Sequence, residues 1–266
     1  MKRLILLLSL VLPLAVHAAD AKKSTLRILC YNIHYGQGMD GKYDVERIAK
    51  VIAATKPDLV ALQEIDVGVK RSGRVHQIRR LGELTGMASR YGPTQHYQGG
   101  LYGNGVLTRL PILDVVIQPL PYTEATKERT TYPRGAIAVT VKAPSGEPVR
   151  FVSTHFQHNV PEDRLAEAKR INKLFADPKD KTLTILAGDM NATPGSDPIN
   201  ELEKRWVNAS NSPDAPTAPS RKARVRIDYI FHRKGQSCRV TDSEVIAETM
   251  ASDHLPVFAV LELGKN

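Results

Sequence analysis

Near the middle of the sequence, TLTILAGDMNATPGS (Thr182 to Ser196) places a carboxylate and a carboxamide, Asp189 and Asn191, just past an apolar run. The run Leu183 to Ala187 reads as a buried strand that breaks at Gly188. Residues i and i+2 of an extended segment point the same way. Asp189 and Asn191 then project together, able to hold a water or a hard metal ion and to steady an oxyanion. The plainer alternative is an Asx turn that closes the strand.

Similar polar ends recur along the chain. Expected strands finish on Asn32 and His34, on Gln63-Glu64 and on Ser153-Thr154-His155, and another carries Asp228 among apolar neighbours. Ser252-Asp253-His254-Leu255-Pro256 stands before the last strand. Each alone has an ordinary explanation: a turn at Asn32, a strand-end charge at Glu64, a core histidine at His155, an ion pair from Asp228 to Arg224 or Arg226. Together they point to one ligand site, because such sites gather where strands end.

The elements that must position these groups follow from periodicity. Leu26 to Ile33 and Leu59 to Leu62 read as core strands. Asp44 caps an expected helix over Val45 to Thr55, with Val45, Ile48, Ala49, Ile52 and Ala53 as its apolar stripe. Further helices are expected over Val75 to Thr85 and Glu162 to Phe175. Short strands are expected over 88–95, 103–108, 113–120, 135–142, 148–155, 227–231, 237–247 and 256–263. Asn208 to Ser220, rich in Pro, Ser, Asn and Ala, reads as a surface loop. There is no internal sequence repeat. Strands outnumber helices, which suggests two packed sheets with helices outside, an α/β sandwich in one domain.

Composition sets the frame. The chain has 266 residues, 42% hydrophobic and 24% charged, ordinary for a globular protein with a sizeable core. Met1-Lys2-Arg3, the apolar run to Val16 and the small residues Ala18-Ala19 read as a secretory signal over residues 1–19, leaving a mature domain over 20–266. The expected address is the periplasm or the medium. The formal charge is +9, or +7 without Lys2 and Arg3, which favours anionic partners without choosing among them. Cys30 and Cys238, the two cysteines, could form one disulfide in an exported protein or stay unpaired.

Asn32, Leu62-Gln63-Glu64, Gly188-Asp189-Met190-Asn191 and Ser252-Asp253-His254-Leu255-Pro256 resemble the ordered motifs of the endonuclease/exonuclease/phosphatase (DNase I-like) superfamily. The likeness runs from Leu26 to Leu263. Asp66 to Arg109, with RSGRVHQ and GGLYGNGVLTR, is similar to the small bacterial metal-dependent hydrolases of that group. The resemblance implies a four-layer α/β sandwich, two packed mainly antiparallel sheets flanked by helices. It also implies metal-assisted hydrolysis of a phosphoester. Glu64 would hold Mg²⁺ or Mn²⁺ with Asn32 and Asp253, and all-oxygen ligands suit such ions. Asp189 would orient or deprotonate the attacking water, and Asn191 would bind a phosphoryl oxygen. Asp228 would orient His254 and keep it basic, so that His254 donates to the phosphate, while His155 donates to the phosphate or protonates the leaving oxygen. His34 departs from the superfamily pattern, where an acid or amide is common, and becomes a substrate-contact candidate, as does Arg134.

The substrate stays open at this level. Lys70, Arg71, Arg74, Arg79 and Arg80, a second basic set over 221–226, and the aromatic residues Tyr91, Tyr97 and Tyr102 would suit a nucleic-acid groove. A phospholipid headgroup or a small phosphodiester or phosphomonoester is the alternative. A monomer needing no protein partner is expected. A non-catalytic binding module would be marked by loss of Glu64, Asp189 or His254, and all three are present. A serine hydrolase lacks its nucleophile-elbow motif.

Overall fold

A computed structural model describes residues 24–264. The expected signal segment lies outside the described residues. Sixteen main elements run in chain order. They are β1 (Ser24–Asn32), α1 (Val45–Thr55), β2 (Leu59–Val67), α2 (Gln77–Thr85), β3 (Ala88–Tyr97) and β4 (Gly100–Thr108). There follow β5 (Ile112–Pro119), β6 (Gly135–Lys142), β7 (Pro148–His155), α3 (Pro161–Phe175), β8 (Leu183–Asp189) and α4 (Asp197–Glu203). The last four are β9 (Trp206–Asn208), β10 (Asp228–Arg233), β11 (Cys238–Val245) and β12 (Val257–Leu263).

Two six-stranded sheets result, in the orders β11-β12-β1-β2-β4-β3 and β5-β6-β7-β8-β10-β9. Each has one parallel pair at its centre, β1 with β2 and β7 with β8, and its other pairings are antiparallel. Each parallel pair is bridged by a helix, α1 or α3, as a parallel connection requires. The sheets pack face to face through Ile28, Ala61, Val139, Phe151 and Ile185. The outer face of the first sheet is covered by Val45, Ile48 and Ile52 of α1 and Ile78 and Leu81 of α2. The outer face of the second lies under Ala168 and Ile171 of α3 and Ile199 and Leu202 of α4. This is the four-layer sandwich with mainly antiparallel sheets.

Parallel strands bridged by helices send their C-terminal ends to one edge of the sandwich. Asn32, Glu64, His155 and Asp189 therefore gather there, and Asp228 joins them because β10 pairs antiparallel with Asp228 opposite Asp189. Asp44 caps α1 by accepting from the Arg47 amide at 2.8 Å. Ala53 alone of the expected α1 stripe is exposed. The stretch 208–220 departs from the surface-loop reading at its far end: Thr217, Ala218 and Ser220 are buried. Thr217 Oγ1 accepts from the Ile227 and Asp228 amides, so its hydroxyl anchors the start of β10. Cys30 and Cys238 are both unpaired, and the buried Cys30 thiol faces Gln63 Oε1 at 3.7 Å.

Candidate active site

The floor of the site is Asn32, fully buried at the end of β1. Its Nδ2 donates to Glu64 Oε1 at 3.1 Å and to Asp189 Oδ2 at 3.0 Å. One amide thus holds two carboxylates from different sheets. Its Oδ1 accepts from the His34 amide at 3.0 Å, which leaves one lone pair. Glu64 owes its direction to a bulge: the register of β2 against β4 shifts between Leu62 and Ile65, and Glu64 takes φ 61°. That left-handed conformation turns a residue out of the pleat into the cleft. Beneath, Gln63 Nε2 reaches Ser153 Oγ at 3.3 Å, tying the two sheets together.

Asp189 uses its other oxygen to accept the Asn191 amide at 2.9 Å. That is the local Asx contact expected of a strand end, and the functional geometry is built on top of it. Burial raises the Asp189 pKa, Asp228 adds to the rise, and His254 opposes it. His254 Nδ1 lies 2.9 Å from Asp228 Oδ2, and its Nε2 lies 3.8 Å from Asp189 Oδ2. Burial alone would depress His254, but Asp228 and Asp189 outweigh it and hold the pKa well above the ordinary histidine value. The Asp228–His254 pair is thus an oriented imidazolium. The expected alternative, Asp228 paired to Arg224 or Arg226, does not occur. Arg226 is buried and donates to the Ser212 and Ala215 carbonyls instead.

His155 has the opposite character. Burial lowers its pKa, and Arg134 and His254 lower it further, so it is neutral at rest. Its Nε2 faces Asn191 Nδ2 at 3.0 Å and Asp189 Oδ2 at 3.4 Å, and its Nδ1 faces Arg134 Nη1 at 3.4 Å. Asn191 Nδ2 also donates to the Phe156 carbonyl at 3.0 Å. Arg134 is buried, its Nε is unpartnered, and among the described residues no carboxylate lies within ion-pair distance of it. A buried guanidinium without a counter-ion is costly unless an anion arrives. Its backbone is clamped next door: Asn104 Nδ2 and Thr154 Oγ1 both donate to the Gly135 carbonyl, at 2.9 and 3.1 Å.

The remaining candidates sit beside this centre. Asp253 is half-buried, 3.8 Å from His34 Nδ1. His34 lies outside the cleft wall, with Nδ1 also 3.2 Å from the Gln37 carbonyl. Glu64 and Asp253 both bear on Tyr35, whose pKa burial pushes up to about 12. Above the centre opens a cleft of about 330 Å³, walled by Arg71, Tyr97, Tyr102, Tyr132 and His158. Tyr132 and His158 carried no sequence signal, because loop and sheet geometry alone bring them here.

Part of the expected basic groove is taken up by internal pairing. Arg79 meets Glu83 at 2.9 Å and Arg80 meets Glu46 at 2.8 Å on the helical face. Arg71 is forked to the buried Asp66. Tyr91 gives its hydroxyl to the Ile65 carbonyl.

A carboxylate pair bridged by one amide, an imidazolium held by an aspartate and an uncompensated arginine, at one edge of a four-layer sandwich, define a phosphoester hydrolase of the DNase I-like class. The chain belongs to the endonuclease/exonuclease/phosphatase family, whose model matches residues 29–254. It is similar to the solved endonuclease/exonuclease/phosphatase from Beutenbergia cavernae DSM 12333, with 26% identity, TM-score 0.74, and coverage of 91% of this chain and 72% of that one. The endonuclease/exonuclease/phosphatase from Bacteroides vulgatus matches with 21% identity and TM-score 0.73 over 91% of this chain and all (100%) of that one. A mannosyl-6-phosphatase from Bacteroides thetaiotaomicron VPI-5482 matches with 18% identity and TM-score 0.67, covering 89% of this chain and 99% of that one. At the last two identities the likeness is one of fold.

Proposed function

We propose that the protein is an exported, divalent-metal-dependent phosphoesterase acting on a small phosphoester, with Asp189 accepting the proton of the attacking water. The observation that carries this reading is the placing of Asp189 Oδ2 within 3.8 Å of both His155 Nε2 and His254 Nε2, on an amide shared with Glu64. A raised carboxylate pKa makes Asp189 a better base than an exposed aspartate. His254 presents a cationic N–H to a phosphoryl oxygen. Arg134 supplies the second fixed positive charge, with no reorganisation when charge develops. Asn191 presents its carboxamide beside His155 Nε2, at 3.0 Å. His155 is neutral, and with the donor-only Arg134 at Nδ1 its ring proton sits on Nε2, where it can hydrogen-bond a phosphoryl or leaving oxygen.

The residues fit Mg²⁺ or Mn²⁺. Glu64 has no cationic partner among the described residues and meets only the Asn32 amide. With Asp253, and with Asn32 once its amide turns to present Oδ1, it would offer an all-oxygen set, as hard ions prefer. A bound divalent ion supplies charge stabilisation at the phosphoryl group. Asp189, Asp228 and His254 also bring ligand atoms within 4.8 Å of one another, but there a proton on His254 already balances the carboxylates. That proton favours the Glu64 side for the metal.

A compact cleft rimmed by aromatic rings, with Arg71, Arg79 and Arg80 already paired with acids, favours a small substrate over a polymer. The test is release of phosphate or nitrophenol from 4-nitrophenyl phosphate and its bis ester, with plasmid DNA alongside, under Mg²⁺ or Mn²⁺ against EDTA and Asp189→Asn. Metal-dependent turnover of the small esters, lost in both controls, is expected. Turnover indifferent to EDTA and to Asp189→Asn would overturn the reading, and DNA cleavage alone would move it to a nuclease.

A further inference from the structure

Glu167 on α3 is a buried carboxyl that the chemistry above leaves unused. Its side chain is fully buried, Oε2 accepts the Gln157 amide at 2.9 Å, and Oε1 has no hydrogen-bond partner among the described residues. Gln157 is fully buried as well and is engaged on every side. Its Nε2 donates to the Tyr132 carbonyl at 3.1 Å, its Oε1 accepts the His158 amide at 3.1 Å, and its carbonyl accepts from Arg164 Nη1 at 3.2 Å. Gln157 stands two residues after His155, and Tyr132 stands two residues before Arg134. A chain of contacts therefore runs from α3, past His155, to the backbone that presents Arg134.

Residues 120–134, between β5 and β6, form no helix or strand, so side-chain ties must place them. α3 supplies one at the start, where buried Asp163 accepts the Thr123 amide at 3.0 Å and the Thr123 hydroxyl at 2.7 Å. Gln157 supplies the tie beside the cleft. Tyr132 then stacks on His158 at 5.3 Å, with the planes 26° apart, and the Arg134 guanidinium stands 5.9 Å from the Tyr132 ring centre. On the other side of Arg134, the Gly135 carbonyl is held from the sheet by Asn104 and Thr154. Loss of the Gln157 carboxamide would free the Tyr132 side while the Gly135 side stayed in place. Arg134 would then move without the sheet coming apart.

We propose that Gln157 and Glu167 are positioning residues: they hold the Tyr132 carbonyl so that Arg134 meets the phosphate, and Glu167 acts in its neutral form, which leaves the Arg134 charge to the substrate. This rests on the phosphoesterase reading for the role of Arg134. The charges that bear on Glu167 are Arg134 from the 120–134 segment and Asp163 and Arg164 from its own helix. Burial pushes Glu167 up to about 8, the Gln157 amide and Arg134 oppose the rise, and Asp163 adds to it. His155 and His158, on the intervening segment, are both driven towards neutrality by burial and then by Arg134. Below its raised pKa Glu167 is neutral and Arg134 is free to answer an anion. Above it, an ionised Glu167 opposes the anion, so phosphate binding weakens as pH climbs.

The experiment titrates inorganic phosphate calorimetrically, with Mg²⁺ present, into the wild type, Arg134→Met, Gln157→Leu, their double variant and Glu167→Gln. Turnover of 4-nitrophenyl phosphate is measured in parallel. Arg134→Met should weaken phosphate binding about tenfold or more, as loss of a charged donor implies, and Gln157→Leu should weaken it by a smaller factor. The double variant should bind no more weakly than Arg134→Met alone, because Gln157 then has nothing left to place. Glu167→Gln keeps an acceptor for the Gln157 amide and carries the test if Gln157→Leu fails to fold. It should match the wild type at pH 6 and bind about threefold or more tighter at pH 9, where the wild-type carboxyl is ionised. The ratio of variant to wild type cancels the titration of phosphate itself. Additive losses in the double variant, or a Glu167→Gln ratio equal at the two pH values, overturn the proposal. Metal-dependent turnover by the wild type then leaves the phosphoesterase standing. A wild type that neither binds phosphate nor turns over the ester overturns both.

Discussion

Asp228 and His254 show how a single neighbour sets the working state of a side chain. Buried histidines are normally pushed towards neutrality, and His155 obeys that rule while His254 does not. The difference is the Asp228 carboxylate 2.9 Å away. The folded pKa of His254 lies above its unfolded value. Its charge pairing is therefore fully present below the ordinary histidine pKa and is lost as pH rises through the raised one. Asp228→Asn removes the nearest carboxylate. The alkaline limb of the kcat/KM profile should then move to lower pH, and a proton NMR titration of His254 should shift the same way. An unmoved limb would mean that His254 is not the acid that matters. Asp189→Asn keeps the amide contacts but removes the base. It should cost about 10²- to 10⁴-fold in kcat with the fold intact, read from steady-state rates beside a circular-dichroism melt.

Strands deliver these groups, so defects in strand packing should reach the chemistry. Gly188 lies one residue before Asp189 in β8, and a Cβ there would come 2.2 Å from the Thr154 carbonyl oxygen of β7. Gly188→Ala must push two central strands apart. It should cost about 1–3 kcal/mol in a denaturant melt and displace Asp189 from His155, with a matching loss of rate. On the far side, α3 carries Glu167, which burial pushes up to about 8 although it accepts the Gln157 amide at 2.9 Å. Its folded pKa stands above the ordinary 4.5, so stability falls as pH climbs between the two values. Glu167→Gln should raise the melting temperature at pH 8 and leave it nearly unchanged at pH 5. Much of this architecture was legible in advance. The stripe and cap of α1, the apolar run of β8 and the polar strand ends each rest on local pattern. Other features were not. Short α4 and β9 have too few residues for a period, and Val75 and His76 stay outside α2, where His76 bridges to Val67. The bulge that turns Glu64 and the clamp of Asn104 on Gly135 arise between strands distant in sequence. Composition likewise shows arginines without showing Glu46, Asp66 and Glu83 opposite Arg80, Arg71 and Arg79.

The two sheets meet at the site as two carboxylates on one amide, and this has a thermodynamic consequence for the whole molecule. Glu64 comes from the first sheet and Asp189 from the second, and Asn32 Nδ2 bridges them at 3.1 and 3.0 Å. Each carboxylate accepts an N–H from the same amide, so the two sheets are tied at that edge. A divalent ion held by Glu64 binds only the folded arrangement, because the unfolded chain does not gather residues so distant in sequence. Linkage then requires stabilisation that grows with metal concentration, about 2.7 kcal/mol at a hundredfold excess over Kd. Mg²⁺ or Mn²⁺ should raise the melting temperature by several degrees, and EDTA should reverse the shift. Glu64→Gln keeps an oxygen for the Asn32 amide but removes one charge. Its metal-free melting temperature should stay close to that of the wild type, while the metal-induced rise should vanish. Asp228→Asn should keep most of the rise, since that carboxylate answers His254. A rise that survived Glu64→Gln but was lost in Asp228→Asn would place the ion on the opposite side of the site, among Asp189, Asp228 and His254.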